Sequence, residues 1–155
     1  MQFRTATPAD APFITNLVNR AYEVERALFG AGHDRTDVAE ITANIETPGT
    51  CFILGANEGV SLSSVRVETQ PDALFFSMLA VDPTRQGGGV GRAVVQEVER
   101  LAAARGLPFV RLNCIQQRDL PAYYGRLGYT ATHDTPYTIA DVEIVLVYME
   151  KRVTA

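Results

Sequence analysis

The apolar positions of this chain change period several times, and each change marks an element. Gln2 to Ala6 alternates over a short span and predicts a first strand. Phe13, Ile14, Leu17, Val18, Ala21 and Tyr22 then recur at helical spacing and predict a helix with one apolar stripe. Thr7-Pro8-Ala9-Asp10 supplies its start, with a cap, a proline for the first helical position and a carboxylate three places on. Pro12 has no amide to donate, so the start can also lie nearer Asp10. The pattern fades from Glu23 to Phe29, and Gly30 to Arg35 reads as a polar loop at the lip of a site. Thr36-Asp37 caps a second helix through about Glu46, with Val38, Ile41 and Ile45 on one face and Pro48-Gly49 as its stop.

Beyond Gly49 the period shortens. Cys51 to Ala56, Val60 to Glu68 and Leu74 to Val81 are apolar, β-branched runs separated by Asn57-Glu58-Gly59 and Gln70-Pro71-Asp72. Turns of that chemistry predict antiparallel hairpins. Ser61, Ser63 and Ser64 make the second run less apolar and point to a solvated face or a bulge. Val90, Val94, Val98, Leu101 and Ala102 then form the clearest helical stripe, closed by Arg105-Gly106. Phe109 to Cys114 is a further strand, which with the preceding helix makes a βαβ unit. Asp119-Leu120-Pro121 opens a last helix through Leu127, stopped by Gly128. Tyr129 to Ala131 and Glu143 to Met149 predict a closing pair of strands, joined by a polar connection from His133 to Asp141. No repeat or linker interrupts this order, which predicts one domain over residues 1–155.

Composition narrows the class. With 46% hydrophobic and 21% charged residues in 155, the chain can bury a core without disulfides or metal. The net charge of −4, with Lys151 the only lysine, argues against nucleic acid as a partner. Cys51 and Cys114 have no Cys or His neighbours at metal-ligand spacing, so no metal is expected. No run approaches the roughly 18 apolar residues of a membrane span, which predicts a cytoplasmic protein with no membrane partner. Nothing in the pattern decides between a monomer and a homodimer.

The stretch with the most chemistry is Val81-Asp82-Pro83-Thr84-Arg85-Gln86-Gly87-Gly88-Gly89-Val90-Gly91-Arg92, where a strand meets a glycine turn and a helix. Glycines let the backbone approach a ligand, and the helix start aims unpaired amides at it, so the junction is suited to phosphate. It is not a Walker loop, because no Lys-Ser/Thr follows Gly91. A dinucleotide fingerprint also fails, since Val94 stands where a third small residue belongs.

Three stretches together resemble the GCN5-related N-acetyltransferase (GNAT) family, in the manner of its small-molecule-type members. They are Met78 to Pro83 followed by Arg85 to Gly91; Ala122-Tyr123-Tyr124-Gly125-Arg126-Leu127-Gly128-Tyr129; and, less closely, Val18 to Glu25 with Arg35-Thr36. The resemblance implies an α/β (α+β) fold: a mixed, mostly antiparallel sheet of about six or seven strands with about four helices. Two parallel strands would splay apart at a cofactor cleft. It also implies acetyl transfer from acetyl-coenzyme A to a primary amine of a small molecule or peptide. A catalytically idle acyl-coenzyme A sensor is the rival.

The same resemblance distributes roles. Amides from Gly87, Gly88, Gly89, Val90, Gly91 and Arg92 would hold the pyrophosphate, beside Arg85 and Gln86. Main-chain groups of Leu79 and Val81 would pair with the pantetheine arm, and an amide near Leu79 or Ala80 would face the carbonyl oxygen. Gln117 stands where the family often has an asparagine near the cofactor. The second middle strand lacks a glycine common in the family and carries Ser61 to Ser64 instead. Tyr124 would protonate the leaving sulfur, since a phenol with a reference pKa of about 10 keeps its proton at neutral pH. For the amine's proton the residues themselves leave three acceptors open: Glu25 after the first helix, His33, or water.

Overall fold

A computed structural model of the chain describes residues 1–29, 34–139 and 141–154. Its strands are β1 (Gln2–Thr5), β2 (Thr50–Asn57), β3 (Val60–Thr69), β4 (Ala73–Val81), β5 (Phe109–Ile115), β6 (Thr130–Ile139) and β7 (Val142–Arg152). They form one sheet in the order β1-β2-β3-β4-β5-β7-β6. Among the described residues only β4 and β5 pair in parallel, and the helix that crosses between them is α4 (Val90–Ala104). The other helices are α1 (Ala11–Ala21), α2 (Glu23–Phe29), α3 (Val38–Glu46) and α5 (Leu120–Arg126).

Alternation along the strands divides the apolar residues between two faces. Phe52, Leu54, Met78 and Ala80 pack with Ile14, Leu17 and Val18 of α1 and Ile41 of α3. Ile53, Val65, Phe76, Val110 and Leu112 pack with Val94, Val95 and Val98 of α4 and with Tyr124 of α5. Burying stripes of this kind is what holds short helices in place, since an isolated helix of their length is marginal in water.

The structure departs from the sequence reading at several points. A 3-10 turn at Pro8–Asp10 precedes α1, so Pro12 falls in the first turn, where its missing amide costs nothing. Asp10 fixes that start by accepting from the Thr7 amide at 2.8 Å and from both Arg4 Nη atoms at 2.9 and 2.7 Å. Phe13 and Val38 lie outside the buried stripes, at 39% and 44% exposure, because the neighbouring residues at 14 and 41 take the core-facing angle. Among the described residues there are five α-helices where about four were expected, the addition being α2. Glu23 to Phe29 has no clear stripe but is composed largely of helix formers. The predicted polar connection from His133 to Asp141 is mostly strand, because β6 pairs with β7 from Thr130↔Glu150 to Ile139↔Val142. As an edge strand it is exposed along nearly its whole length, so it has no apolar face to announce it. Ser63 and Ser64 are fully buried, and β3 meets irregularities on both sides: against β2 at Gly55/Ala56 and against β4 at Ser64/Arg66.

Candidate active site

The site begins with a mismatch between two strands. Ser64 faces Ala80 across the β3–β4 ladder while Arg66 faces Ser77, so β4 spends one residue more than β3 over this interval. Met78 absorbs it at φ 52°, a left-handed backbone that a residue with a side chain seldom adopts. An extra residue reverses the in-out alternation. Before the bulge Leu74 and Phe76 face α4; beyond it Leu79 and Val81 take that side, and Met78 and Ala80 turn to the core under α1.

At the same place β4 and β5 part. Their register pairs run only from Ala73↔Phe109 to Phe76↔Leu112. Both strands continue, β4 against β3 as far as Val81↔Ser63 and β5 against β7 as far as Ile115↔Leu146. The facing edges of Ser77–Val81 and Asn113–Ile115 therefore bound a V-shaped opening with main-chain groups along it. The resulting cleft has a volume of roughly 1370 Å³ and passes from one face of the sheet to the other.

One wall is the glycine turn. Gly87 and Gly89 have φ of 85° and 82°, and Gly89 delivers the chain into α4. Asp82 anchors the approach, accepting from the Thr84 amide at 2.9 Å, the Thr84 hydroxyl at 2.8 Å and Arg20 of α1 at 3.3 Å. These contacts, the Thr84 amide first, hold its carboxyl below the usual range. Gly91 admits close packing, since a Cβ there would stand 3.4 Å from the Tyr123 hydroxyl. Leu79, Val81, Arg85, Gln86, Gly87, Gly89, Val90, Gly91 and Arg92 all line the cleft. Left-handed glycines, open amides at a helix start and two guanidiniums make an anion cradle, so this wall fits a coenzyme A pyrophosphate.

Two further titratable side chains, Tyr124 and Glu25, line the cleft. Tyr124 is 8% exposed and packs edge-on against Phe76, Tyr123 and Tyr129 with centroids 6.0, 5.1 and 6.0 Å apart. Burial, with Tyr22, Cys114 and Tyr123 nearby, pushes its hydroxyl above the ordinary tyrosine range, so it holds its proton. Burial in the same cleft pushes the Cys114 thiol up to about 11. Glu25 of α2 accepts from Arg118 Nη1 at 3.2 Å, with only 13% of its side chain exposed. Desolvation raises its carboxyl, and Arg118 and Arg35 offset part of that rise.

Several predicted residues lie elsewhere. Gln117 is absent from the cleft lining; its side-chain oxygen accepts from the Val145 amide at 3.4 Å beside a smaller hollow. Gly88 and Ala80 also stay out of the lining, Ala80 having its side chain in the α1 core. His33 lies outside the described residues. Conversely, Tyr22, Asn113, Arg118, Tyr137 and Tyr148 line the cleft and were not singled out from sequence. Tyr22 lies within the stretch that resembles the family, and its hydroxyl is pushed up to about 12 by burial and by Glu25. Arg118 carries no local signal, because its role depends on a partner 93 residues away. Among the described residues no group of three His, Cys, Asp or Glu side chains is placed to hold a metal, and no helix is long and apolar enough to cross a membrane.

Comparison with known proteins agrees with this geometry. The family model described as "Acetyltransferase (GNAT) family" matches residues 15–129, and the chain belongs to that family of acetyltransferases. Its fold is shared with the ribosomal-protein-S18-alanine N-acetyltransferase from Escherichia coli, at a TM-score of 0.81 and 16% identity over 99% of this chain and 94% of that one. An aminoglycoside 6'-N-acetyltransferase complexed with coenzyme A superposes at a TM-score of 0.74 and 14% identity, covering 100% and 98% of the two chains. An acetyltransferase from Salmonella typhimurium, solved with acetyl-coenzyme A, gives 0.74 and 20%, covering 99% and 94%. At these identities the likeness establishes the fold. A search of curated proteins found no match.

Proposed function

We propose that this chain transfers acetyl from acetyl-coenzyme A to a primary amine by direct attack, with Glu25 as the base and Tyr124 as the acid. The observation that carries the reading is the opening between β4 and β5. It has an anion cradle on one side, Glu25 on the face covered by α1 and α2, and Tyr124 on the face covered by α4 and α5. Amides of Gly87 to Arg92 would hold the pyrophosphate with Arg85 and Arg92, and the free edge of Leu79 to Val81 would pair with the pantetheine arm. The thioester supplies the acetyl group; the protein positions it and moves protons.

An amine must lose a proton before its lone pair can attack. Glu25, with a carboxyl raised by burial, accepts that proton directly or through water. The new C–N bond forms as the C–S bond breaks, Tyr124 donates its hydroxyl proton to the departing sulfur, and the second proton, which leaves the nitrogen to give the neutral amide, returns through solvent to the Tyr124 phenolate. An amide beside the β4 bulge, at Leu79 or Ala80, would donate to the carbonyl oxygen, where negative charge gathers. No covalent enzyme intermediate is needed.

The test is Tyr124→Phe, assayed by release of free coenzyme A thiol in the presence of an amine panel. A fall of about 10²-fold or more in kcat is expected. Melting temperature should stay within a few degrees, because the ring and its three aromatic contacts remain. Unchanged turnover would remove Tyr124 from the mechanism.

A further inference from the structure

Among the described residues, charge in the part of the cleft lining around α2 is not balanced. Arg26, Arg35 and Arg118 line it together with Glu25 and Asp34, so three guanidiniums meet two carboxylates. Two of the three are matched closely: Arg26 donates to Asp34 at 3.0 Å and Arg118 to Glu25 at 3.2 Å. Arg35 reaches its carboxylate, Glu40, only at 4.0 Å, and both side chains of that pair are more than 40% exposed. Exposed pairs of this kind are worth little and are readily exchanged. Arg35 also lies over the Tyr22 ring, 5.8 Å from its centroid, a position that steadies a planar guanidinium.

From this arrangement we infer that the acceptor is an amine that also carries a carboxylate, of amino-acid type, and that Arg35 binds the carboxylate while Glu25 faces the amine. The inference rests on the acetyl-transfer reading of the same cleft. A bare polyamine would bring further positive charge toward three arginines, one of them in contact with Glu25. A zwitterion places its cationic end at Glu25 and its anion at the guanidinium in surplus. One surplus charge suits a monoanion, and a planar fork held over an aromatic ring suits a carboxylate in two-point contact. The ring of Tyr22, with Phe75, Tyr137 and Tyr148 in the same lining, supplies apolar surface for the remainder of the molecule.

The experiment compares matched pairs that differ only in the carboxylate, such as tyrosine with tyramine and phenylalanine with phenethylamine, in a thiol-release assay on wild type and Arg35→Gln. Preference for the carboxylate-bearing member by about tenfold or more in kcat/KM is expected, since a charge-assisted contact is lost in the other. In Arg35→Gln that preference, read as the ratio of kcat/KM within each matched pair, should collapse toward one, because any change at Glu25 acts on both members of a pair alike. Arg35→Lys should restore part of it. Bare amines acetylated as well as or better than their partners, or no amino acid of the panel acetylated at all, would overturn the inference. The first result leaves acetyl transfer standing; failure of every amine, carboxylate-bearing or bare, with acetyl-coenzyme A still bound, would count against the transferase reading itself.

Discussion

Glu25 is held between opposing influences. Burial pushes its carboxyl up, and the guanidiniums of Arg118 and Arg35 pull it back, with Tyr22 as the remaining titratable neighbour. A base works only when deprotonated, so kcat/KM should rise with pH through the Glu25 value, which lies above the ordinary carboxylate range. Glu25→Gln should remove that limb and lower kcat/KM by about 10²-fold. Arg118→Gln takes away a lowering influence, so the limb should move to higher pH, a shift that a merely structural role for Arg118 would not produce. A pH profile of kcat/KM for the three proteins decides the matter. Elsewhere, Ser64 has a fully buried hydroxyl with no hydrogen-bond partner among the described residues. Ser64→Ala removes an unpaid desolvation at little cost in volume, and should leave stability unchanged or raise it by about 1 kcal/mol in urea unfolding.

Two elements define the cleft, and they differ in how visible they are in the chain. The glycine turn is legible because its backbone needs residues without a Cβ. At Gly89, φ 82°, an added methyl would force a left-handed alanine and cost about 1 kcal/mol. At Gly88 the φ is not left-handed, and a Cβ would rest 3.6 Å from the Arg85 carbonyl, an ordinary contact. Gly89→Ala should therefore lower the melting temperature and weaken coenzyme A binding by calorimetry, whereas Gly88→Ala should spare stability. The β4 bulge was not legible: Met78 is an unremarkable strand residue, and its φ of 52° follows from how β3 and β4 align. The same holds for the Glu25–Arg118 contact, which joins α2 to the turn after β5. The edge strand β6 was read as a loop because the polar pattern of a twice-exposed strand is also the pattern of a loop. Local chemistry wrote the anion cradle into the sequence, while pairing between distant segments made the acceptor side.

At the scale of the molecule, the sheet is two blades joined along a short seam. β1 to β4 form one and β5 to β7 the other, and between them β4 and β5 share only the pairs from Ala73↔Phe109 to Phe76↔Leu112. Arg111 closes the narrow end of that seam. Its Nη atoms donate to Asp72 at 2.7 and 2.9 Å and its Nε to Glu150 at 3.0 Å, which links the β4 approach to β5 and β7. This is a two-point, three-residue contact on a partly buried side chain, a geometry in which ion pairs do contribute. Arg111→Gln should lower stability measurably in urea unfolding, since it removes the contacts to both Asp72 and Glu150. Coenzyme A lies across both blades in the proposed site, so at about 100 times its dissociation constant it should add roughly 2.7 kcal/mol to wild type. That corresponds to a rise of about 5–10 °C in melting temperature for a domain of this size. If the clamp also fixes how wide the blades stand, the same coenzyme A concentration should raise the variant's melting temperature by clearly less than this. Equal shifts in the two proteins would mean that Arg111 stabilises the closed end without setting the opening, and that the bulge at Met78 alone holds the blades apart.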